Sequence, residues 1–270
     1  AGAQTYQDRS KTSFSPRLGI RYALLSNLSF HGAVYRAFRA PNLAELYRKQ
    51  ITATTVTIPN PNLAPETALG REGGLDWQPA SWVQVKGTYY VADYRDFNVP
   101  TAIAAGSPGC GAAPNCRQRL NVSASRSTGV EGYLALRPLS QLLVSGSVNY
   151  DDARQQSGIA AGTTNKPHIN RVPSPKQTVR ASYSSATFGD WTAIWRHEGH
   201  TTTLQGVWLE PFSVLDVNVQ RELLPGFTGF LSVENITNEA YQVNLTAATN
   251  GIASLGLPRT FRVGLRVERF

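Results

Sequence analysis

Apolar and polar residues change places at every step along the closing stretch of the chain, where Phe261, Val263, Leu265 and Val267 share one face and Arg262, Arg266 and Glu268 the other. About ten more segments repeat this two-residue period. Leu18, Ile20, Tyr22 and Leu24 alternate with Arg17, Gly19, Arg21 and Ala23, and Leu28, Phe30, Gly32, Val34 and Phe38 form the next apolar row. Val83, Val85, Tyr89 and Val91 stand against Gln84, Lys86, Thr88 and Tyr90. They are followed by Val130, Leu134 and Leu136, then Leu142, Val144, Val148 and Tyr150, then Val179, Ala181 and Tyr183. Leu215, Val217 and Val219 oppose Asp216, Asn218 and Gln220, and Leu231 and Val233 oppose Ser232 and Glu234. One oily and one wet face is what a strand needs between lipid and a hydrated lumen. The pattern therefore predicts an all-β fold, an antiparallel transmembrane β-barrel.

Connection lengths alternate as well. Short turns are expected at Leu25-Ser26-Asn27, Gln78-Pro79-Ala80-Ser81, Pro138-Leu139-Ser140-Gln141, Phe188-Gly189-Asp190 and Leu224-Pro225-Gly226, separated by long polar excursions near 39–67, 98–120, 153–173, 200–211 and 238–258. Outer-membrane barrels show this asymmetry, with short periplasmic turns and long external loops, so Phe270 is expected on the periplasmic side. Trp77, Trp82, Trp191 and Phe227 flank the short turns and suit an interfacial girdle.

The strands are expected near 12–25, 27–38, 67–78, 82–97, 120–137, 142–152, 173–186, 191–200, 211–222, 227–237 and 259–270, about eleven in all. Bacterial single-chain barrels close with an even number. An odd count in a chain that opens on a polar stretch predicts that the first strands are absent, and eleven is half of twenty-two, the size of barrels plugged by a separate domain.

Composition sharpens this reading. No run approaches the roughly 18 apolar residues of a membrane helix, whereas a membrane strand needs only about 9 to 11 residues, half of them apolar. The net charge of +8 comes from cations spaced singly along alternating segments rather than gathered in a stripe, which argues against nucleic acid as a partner. Lumen side chains, anionic outer-leaflet lipid or an anionic ligand fit better. The chain begins at Ala1 without a signal pattern and holds no methionine, as expected of a processed chain or a fragment.

Cys110 and Cys116, with Gly and Pro between them and no histidine nearby, read as a loop-tip disulfide rather than half a zinc site, two unrelated thiols being the alternative. Catalytic chemistry is thin, and no enzyme is predicted. His197-Glu198-Gly199-His200 lacks zinc-protease spacing and reads as a polar rim patch, so no metal site is assigned. Ser125, Ser127 and Asp151-Asp152 form no recognisable nucleophile and base, and the glycines from 158 to 162 lack phosphate-loop spacing. No cofactor is expected.

Several motifs then occur in order. Ala37-Phe38-Arg39-Ala40-Pro41-Asn42-Leu43-Ala44-Glu45-Leu46-Tyr47, with Asn60-Pro61-Asn62-Leu63-Ala64-Pro65-Glu66-Thr67, strongly resembles the paired signature of the C-terminal barrel half of TonB-dependent outer-membrane receptors. Val233-Glu234-Asn235-Ile236-Thr237-Asn238-Glu239-Ala240-Tyr241 and Pro258-Arg259-Thr260-Phe261 resemble that family's near-terminal motifs. The resemblance runs from about Phe14 to Phe270 and makes residues 1–270 the C-terminal portion of the barrel domain, without the N-terminal plug and first strands.

The resemblance implies active uptake of a scarce, bulky nutrient across the outer membrane of a Gram-negative bacterium, most commonly a ferric siderophore, otherwise cobalamin, haem or a glycan. The implied partners are TonB, acting through the plug, an iron chelate or similar ligand, and outer-membrane lipid and lipopolysaccharide. Read from the residues, Pro41 suits the start of a short helix over 42–47, and Pro61 and Pro65 hold an extended return path. Arg39 leaves one strand as Glu66 enters its neighbour, which predicts an ion pair. Phe38, Arg39, Pro41, Asn62, Pro65, Glu66, Asn235 and Tyr241 are expected to fix architecture. Arg39, Tyr47, Arg48, Arg117 and Arg119, with Lys49 and Lys166, are the candidate ligand contacts on external loops. One departure stands out: Phe270 shares parity with Arg266 and Glu268, so either a one-residue bulge near Val267 to Arg269 restores its phase with the apolar face or the terminal ring faces inward and the strand boundary shifts. The competing readings are a passive diffusion channel, or a barrel that anchors an adhesin or enzyme.

Overall fold

A computed structural model of the chain describes residues 10, 12–52, 54–104, 106–111, 115–157, 168–169, 172–202, 208–246 and 252–268. Lys166, the glycines at 158 to 162, and Arg269 and Phe270 lie outside the described residues, and with them the phase of the final aromatic.

In chain order the elements are β1 (Arg17–Leu25), β2 (Leu28–Arg39), α1 (Leu43–Tyr47), β3 (Gln50–Ile51), β4 (Thr55–Ile58), β5 (Glu66–Ala80), β6 (Val83–Ala102), β7 (Asn115–Leu139), β8 (Leu142–Gln155), β9 (Ser174–Ser185), β10 (Gly189–Thr202), β11 (Trp208–Leu209), β12 (Phe212–Leu224), β13 (Phe227–Glu234), β14 (Gln242–Thr246), β15 (Ile252–Leu255) and β16 (Thr260–Val267). Eleven strands form one continuous antiparallel path, β1-β2-β5-β6-β7-β8-β9-β10-β12-β13-β16. Each neighbour on this path is joined by hairpin logic, so the sheet needs no crossover. The small strands β3, β4 and β11 attach at one end, and β14 pairs with β15 as a separate hairpin.

Register carries a single apolar face across the whole path. Ile20 pairs with Gly32, Gly32 with Gly73, Gly73 with Tyr89, Tyr89 with Val130 and Val130 with Tyr150. Farther along, Val144 pairs with Ala181, Ala181 with Ala193, Ala193 with Val217, Val217 with Val233 and Val233 with Phe261. Directly paired residues lie on the same side of a sheet, so a slip of one residue anywhere would have turned the oily rows inward. These rows are not packed on one another: Leu18 is 76% and Val263 84% exposed, whereas the buried apolar residues are few and sit mostly near one end. A soluble two-layer sandwich would bury such rows between its sheets. The opposite face carries Arg21, His31, Asp76, Lys86, Glu131, Arg196, Asp216 and Arg262, and is the polar, lumen side.

The short turns cluster at one end. They fall at Ser26-Asn27, Ser81-Trp82, Ser140-Gln141, Ala186 to Phe188 and Pro225-Gly226. Gly226 has φ of 80°, which the second central position of a Pro-Gly turn requires. Two expectations need correction here. Gln78, Pro79 and Ala80 belong to β5 rather than to the turn, because register shifts between Trp77 and Ala80 admit a proline at the strand's end. The excursion expected at 98–120 is strand at both ends: β6 runs to Ala102 and β7 starts at Asn115, so this hairpin projects beyond the others. Outside the lipid a strand needs paired backbone but no apolar alternation, which is why the pattern stops before the strands do.

Trp77, Trp82, Trp191 and Phe227 stand exposed beside the short turns, the arrangement an interfacial girdle of aromatic rings requires.

Candidate functional site

At the long-loop end, the chain leaving β2 turns into α1 because Asn42 caps it. The Asn42 side chain accepts from the Glu45 backbone N–H at 2.9 Å, and the Glu45 carboxylate accepts from the Asn42 backbone N–H at 2.9 Å. Pro41 therefore precedes the cap and is not the first helical residue as expected; it ends β2 and leaves the capping position to a side chain that can accept. Arg39 and Glu66 are cross-strand partners in register, and the guanidinium donates through Nε to Oε2 at 2.8 Å and through Nη2 to Oε1 at 2.6 Å. Its Nη1 reaches Glu45 Oε2 at 3.1 Å. The same Glu45 lies 3.9 Å from Arg119 on β7, which also donates to Gln50 at 3.2 Å. Glu66 accepts from the Asn98 backbone N–H at 2.9 Å as well.

This network sits on the rim, above the apolar rows. Burial alone would push the Glu66 and Glu45 carboxyls up. For Glu66 the Arg39 and Asn98 hydrogen bonds outweigh it, for Glu45 the Asn42 N–H and Arg39 do, and both are held below the ordinary 4.5. Hydrogen bonds donated to Glu66 and then to Glu45 hold the Arg39 guanidinium charged beyond its usual range. The expected Arg39–Glu66 pair is thus present, and Glu45 joins it.

Other polar side chains pin the loops. Asn60 donates to the Arg119 carbonyl at 2.9 Å and accepts the Asn62 backbone N–H at 2.9 Å, which fixes the turn between Pro61 and Pro65. Asn121 accepts from Ala64 N–H at 2.8 Å and donates to the Ala64 and Asp96 carbonyls at 3.0 and 2.6 Å. Sequence reading overlooked Asn121, whose partners lie 57 and 25 residues away. The β6–β7 loop is closed by a disulfide between Cys110 and Cys116, whose residues are both buried.

On the far side of the mouth, Asn235 adopts φ of 50° and is 3% exposed. Its amide nitrogen donates to the Glu239 and Leu257 carbonyls, and its oxygen accepts from Glu239 N–H, all within 3.0 Å. Tyr241 stacks on Phe212 at 4.2 Å between ring centroids. Gly256 passes so close to the Tyr241 ring that a β-carbon there would stand 1.9 Å from it, so any other residue would displace the ring.

The expected ligand contacts separate into two sets. Arg39 and Arg119 converge on Glu45, with the Arg119 side chain only 16% exposed. Arg48, the residue after α1, and Arg117, paired with Thr57 of β4, stay exposed and have no ion-pair partner among the described residues. Tyr47 is half-buried at the helix end. Among the described residues no cluster of His, Cys, Asp or Glu could hold a metal ion. Ser127 donates to Asp151 at 2.6 Å, a β7–β8 contact the sequence did not reveal. The structure places His197 against Ser213 at 2.9 Å and His200 edge-on to Trp208, with no shared ligand position.

Comparison with known proteins bears on the whole arrangement. The family model for the TonB dependent receptor-like β-barrel matches residues 1–236. The Iron-regulated outer membrane virulence protein of Vibrio cholerae serotype O1 is 30% identical over 156 residues, 55% of this chain and 24% of that protein. A mutant of the ferric enterobactin receptor from Pseudomonas aeruginosa superposes with a TM-score of 0.71 at 18% identity, covering 94% of this chain and 40% of that one. The ferric yersiniabactin uptake receptor from Yersinia pestis gives a TM-score of 0.70 at 14% identity, covering 94% and 37%. The chain thus spans well under half the length of the proteins it matches.

Proposed function

The chain belongs to the TonB-dependent receptor β-barrel family, and from that premise we propose that it forms part of the barrel of an outer-membrane receptor that takes up an iron chelate, energised through TonB. The observation that carries this reading is the joint placement of a continuous outward apolar face and an ordered, cation-rich mouth at the long-loop end. The outward face supplies a wall for lipid; the mouth supplies donors where a ligand arrives from outside. Arg48 and Arg117, exposed and without carboxylate partners among the described residues, are placed to meet an anionic chelate, whereas Arg39 and Arg119 hold the loops that present them. The chemistry asked of these groups is recognition, since cations and N–H donors orient a carboxylate, catecholate or hydroxamate oxygen without changing it. The relatives' iron-directed names support an iron chelate over cobalamin or a glycan.

The full-length receptor tests this in cells through uptake of radiolabelled ferric chelates with and without a functional TonB. Uptake that depends on TonB, and that falls in an Arg48→Ala/Arg117→Ala double variant, is expected. Unchanged uptake without TonB would overturn the reading in favour of passive diffusion.

A further inference from the structure

The segment that joins β2 to β5 does not stay between them. Its strand β4 pairs with β7 in parallel, from Thr55 with Asn115 to Ile58 with Gln118, while β6 takes the other edge of the same residues, with Ala102 opposite Arg117. β8 joins β7 from Ser125 onward. β4 therefore fills the edge of β7 that β8 leaves open above it, on the far side of the projecting β6–β7 hairpin. To reach that edge the chain passes β5, β6 and β7, roughly 14 Å at about 4.8 Å per strand. It passes on the lumen side, where Arg39 and Glu66 stand by register and Glu45 meets Arg39 and Arg119. Residues 40–65 thus form a strap across the hairpin.

The two ends of the strap are tied by side chains. Glu45 holds the outgoing end, and Asn60 and Asn121 hold the returning end through the Arg119 carbonyl and the Ala64 backbone. The stretch between them has four parallel rungs on β7, a two-residue partner in β3, and Asn115, which donates to the Thr54 carbonyl from its backbone and its side chain at 3.2 Å each. A parallel ladder this short is marginal unless something covers it.

The tip of the β6–β7 hairpin is that cover. Cys116 is the β7 residue opposite Val56, and its disulfide draws Cys110 onto the pair; all three are buried, at 5% exposure or less. Gly109 then lies against β4, so that a β-carbon there would stand 3.3 Å from Ile58 Cδ1. Gly109 and Gly111 flank Cys110 at φ of 91° and 61°, the left-handed conformations that let the backbone turn this cysteine inward. The disulfide is the centre of a small core that exists only while the tip, β4 and β7 lie together.

We propose that the Cys110–Cys116 disulfide is the clasp of this strap and a positioning element for ligand recognition. It keeps β4 on β7 and so fixes where Arg48, on the strap, stands relative to Arg117, on the hairpin. The positioning half rests on the reading of these two arginines as chelate contacts; the clasp itself does not. With the disulfide gone, residues 50–58 leave β7 while the Glu45 end and the barrel wall stay in place.

The test uses the full-length receptor with Cys110→Ala/Cys116→Ala, alone and combined with Ile58→Cys/Gln118→Cys, a registered pair of the same ladder that can fasten the strap by a different bond. Amide exchange read by mass spectrometry follows the strap. Exchange at residues 55–58 is expected to rise at least about tenfold in the alanine variant, to stay unchanged in β9 and β10, and to slow again in the crosslinked variant until that bond is reduced. Uptake of a radiolabelled ferric tris-catecholate or tris-hydroxamate, whichever the parent transports, follows positioning. The half-saturating concentration is expected to rise about tenfold, with the maximal rate and the amount of receptor in the outer membrane unchanged, and to fall back in the crosslinked variant. Unchanged exchange at 55–58 in the alanine variant would overturn the clasp. A lower maximal rate at unchanged half-saturation would overturn the positioning role, as would a crosslink that slows exchange without restoring affinity. A parent that transports neither chelate would overturn the uptake reading and the positioning half with it, while the exchange result still decides the clasp.

Discussion

Asp216 accepts the Asn235 backbone N–H through Oδ1 at 2.8 Å and the Arg196 guanidinium through Oδ2 at 2.8 Å, so one lumen-facing carboxylate ties the end of β13 to the wall of β10. Asn235 answers with its own side chain, which holds both ends of the loop that follows.

Replacing Asn235 separates backbone from hydrogen bonding. Asn235→Ala loses several buried hydrogen bonds, each worth about 1 to 3 kcal/mol when a partner is left unsatisfied, and also forces a β-branched-free but still unfavourable left-handed residue. Asn235→Gly loses the same bonds without the backbone penalty and should be about 1 kcal/mol less damaging. Limited proteolysis of the 235–259 loop and thermal denaturation of the receptor would show the order; equal effects would mean the conformation at Asn235 costs nothing.

Arg39 and Glu66 should be strongly coupled. Exposed pairs give about 0.2 to 1 kcal/mol, but this arginine is bidentate to one carboxylate and shared with a second, so a double-mutant cycle with Arg39→Met and Glu66→Gln should return about 1 to 2 kcal/mol. A coupling near zero would reduce the network to ordinary surface charge.

Acid should loosen the mouth before the wall. Glu45 and Glu66 have folded pKa values below the ordinary 4.5, so their contribution is complete above 4.5 and is lost as pH falls below it, when the unfolded carboxyls take up protons first. Protease sensitivity of the 40–65 segment should therefore rise between pH 5 and 3, about the range of carboxylate titration. Glu45→Gln/Glu66→Gln should be weaker at neutral pH and flatter across that window; an unchanged pH profile would contradict the assignment.

Neighbours on β12 should differ sharply in what they tolerate. Val217→Arg places a cation in the lipid and should cost about 2 to 4 kcal/mol, while Asn218→Arg turns it into the lumen and should be mild. Equal tolerance in the complete receptor, measured by refolding into bilayers, would argue against the sidedness.

Much of this was legible in the residues because lipid enforces a simple code. Leu18, Ile20 and Tyr22, like Val217 and Val219, had to alternate with polar partners, so strand number, phase and turn positions could be read from them. The code lapses above the membrane. Asn98 to Ala102 continue β6, and Asn115 to Arg119 continue β7, without alternation, so both were read as loop. The rim was legible only where partners meet in register, as Arg39 and Glu66 do. Asn121 and Asn60 act on backbone groups far away in sequence, and no local pattern announces that.

Glu45 has a consequence for how the mouth moves. The one carboxylate closes the first turn of α1 and receives Arg39 and Arg119 from two separate strands. Swinging the loop outward would carry the cap along intact and withdraw one carboxylate from both arginines in a single event. The segment that presents Tyr47 and Arg48 is thus tethered to two strands of the wall through a single side chain.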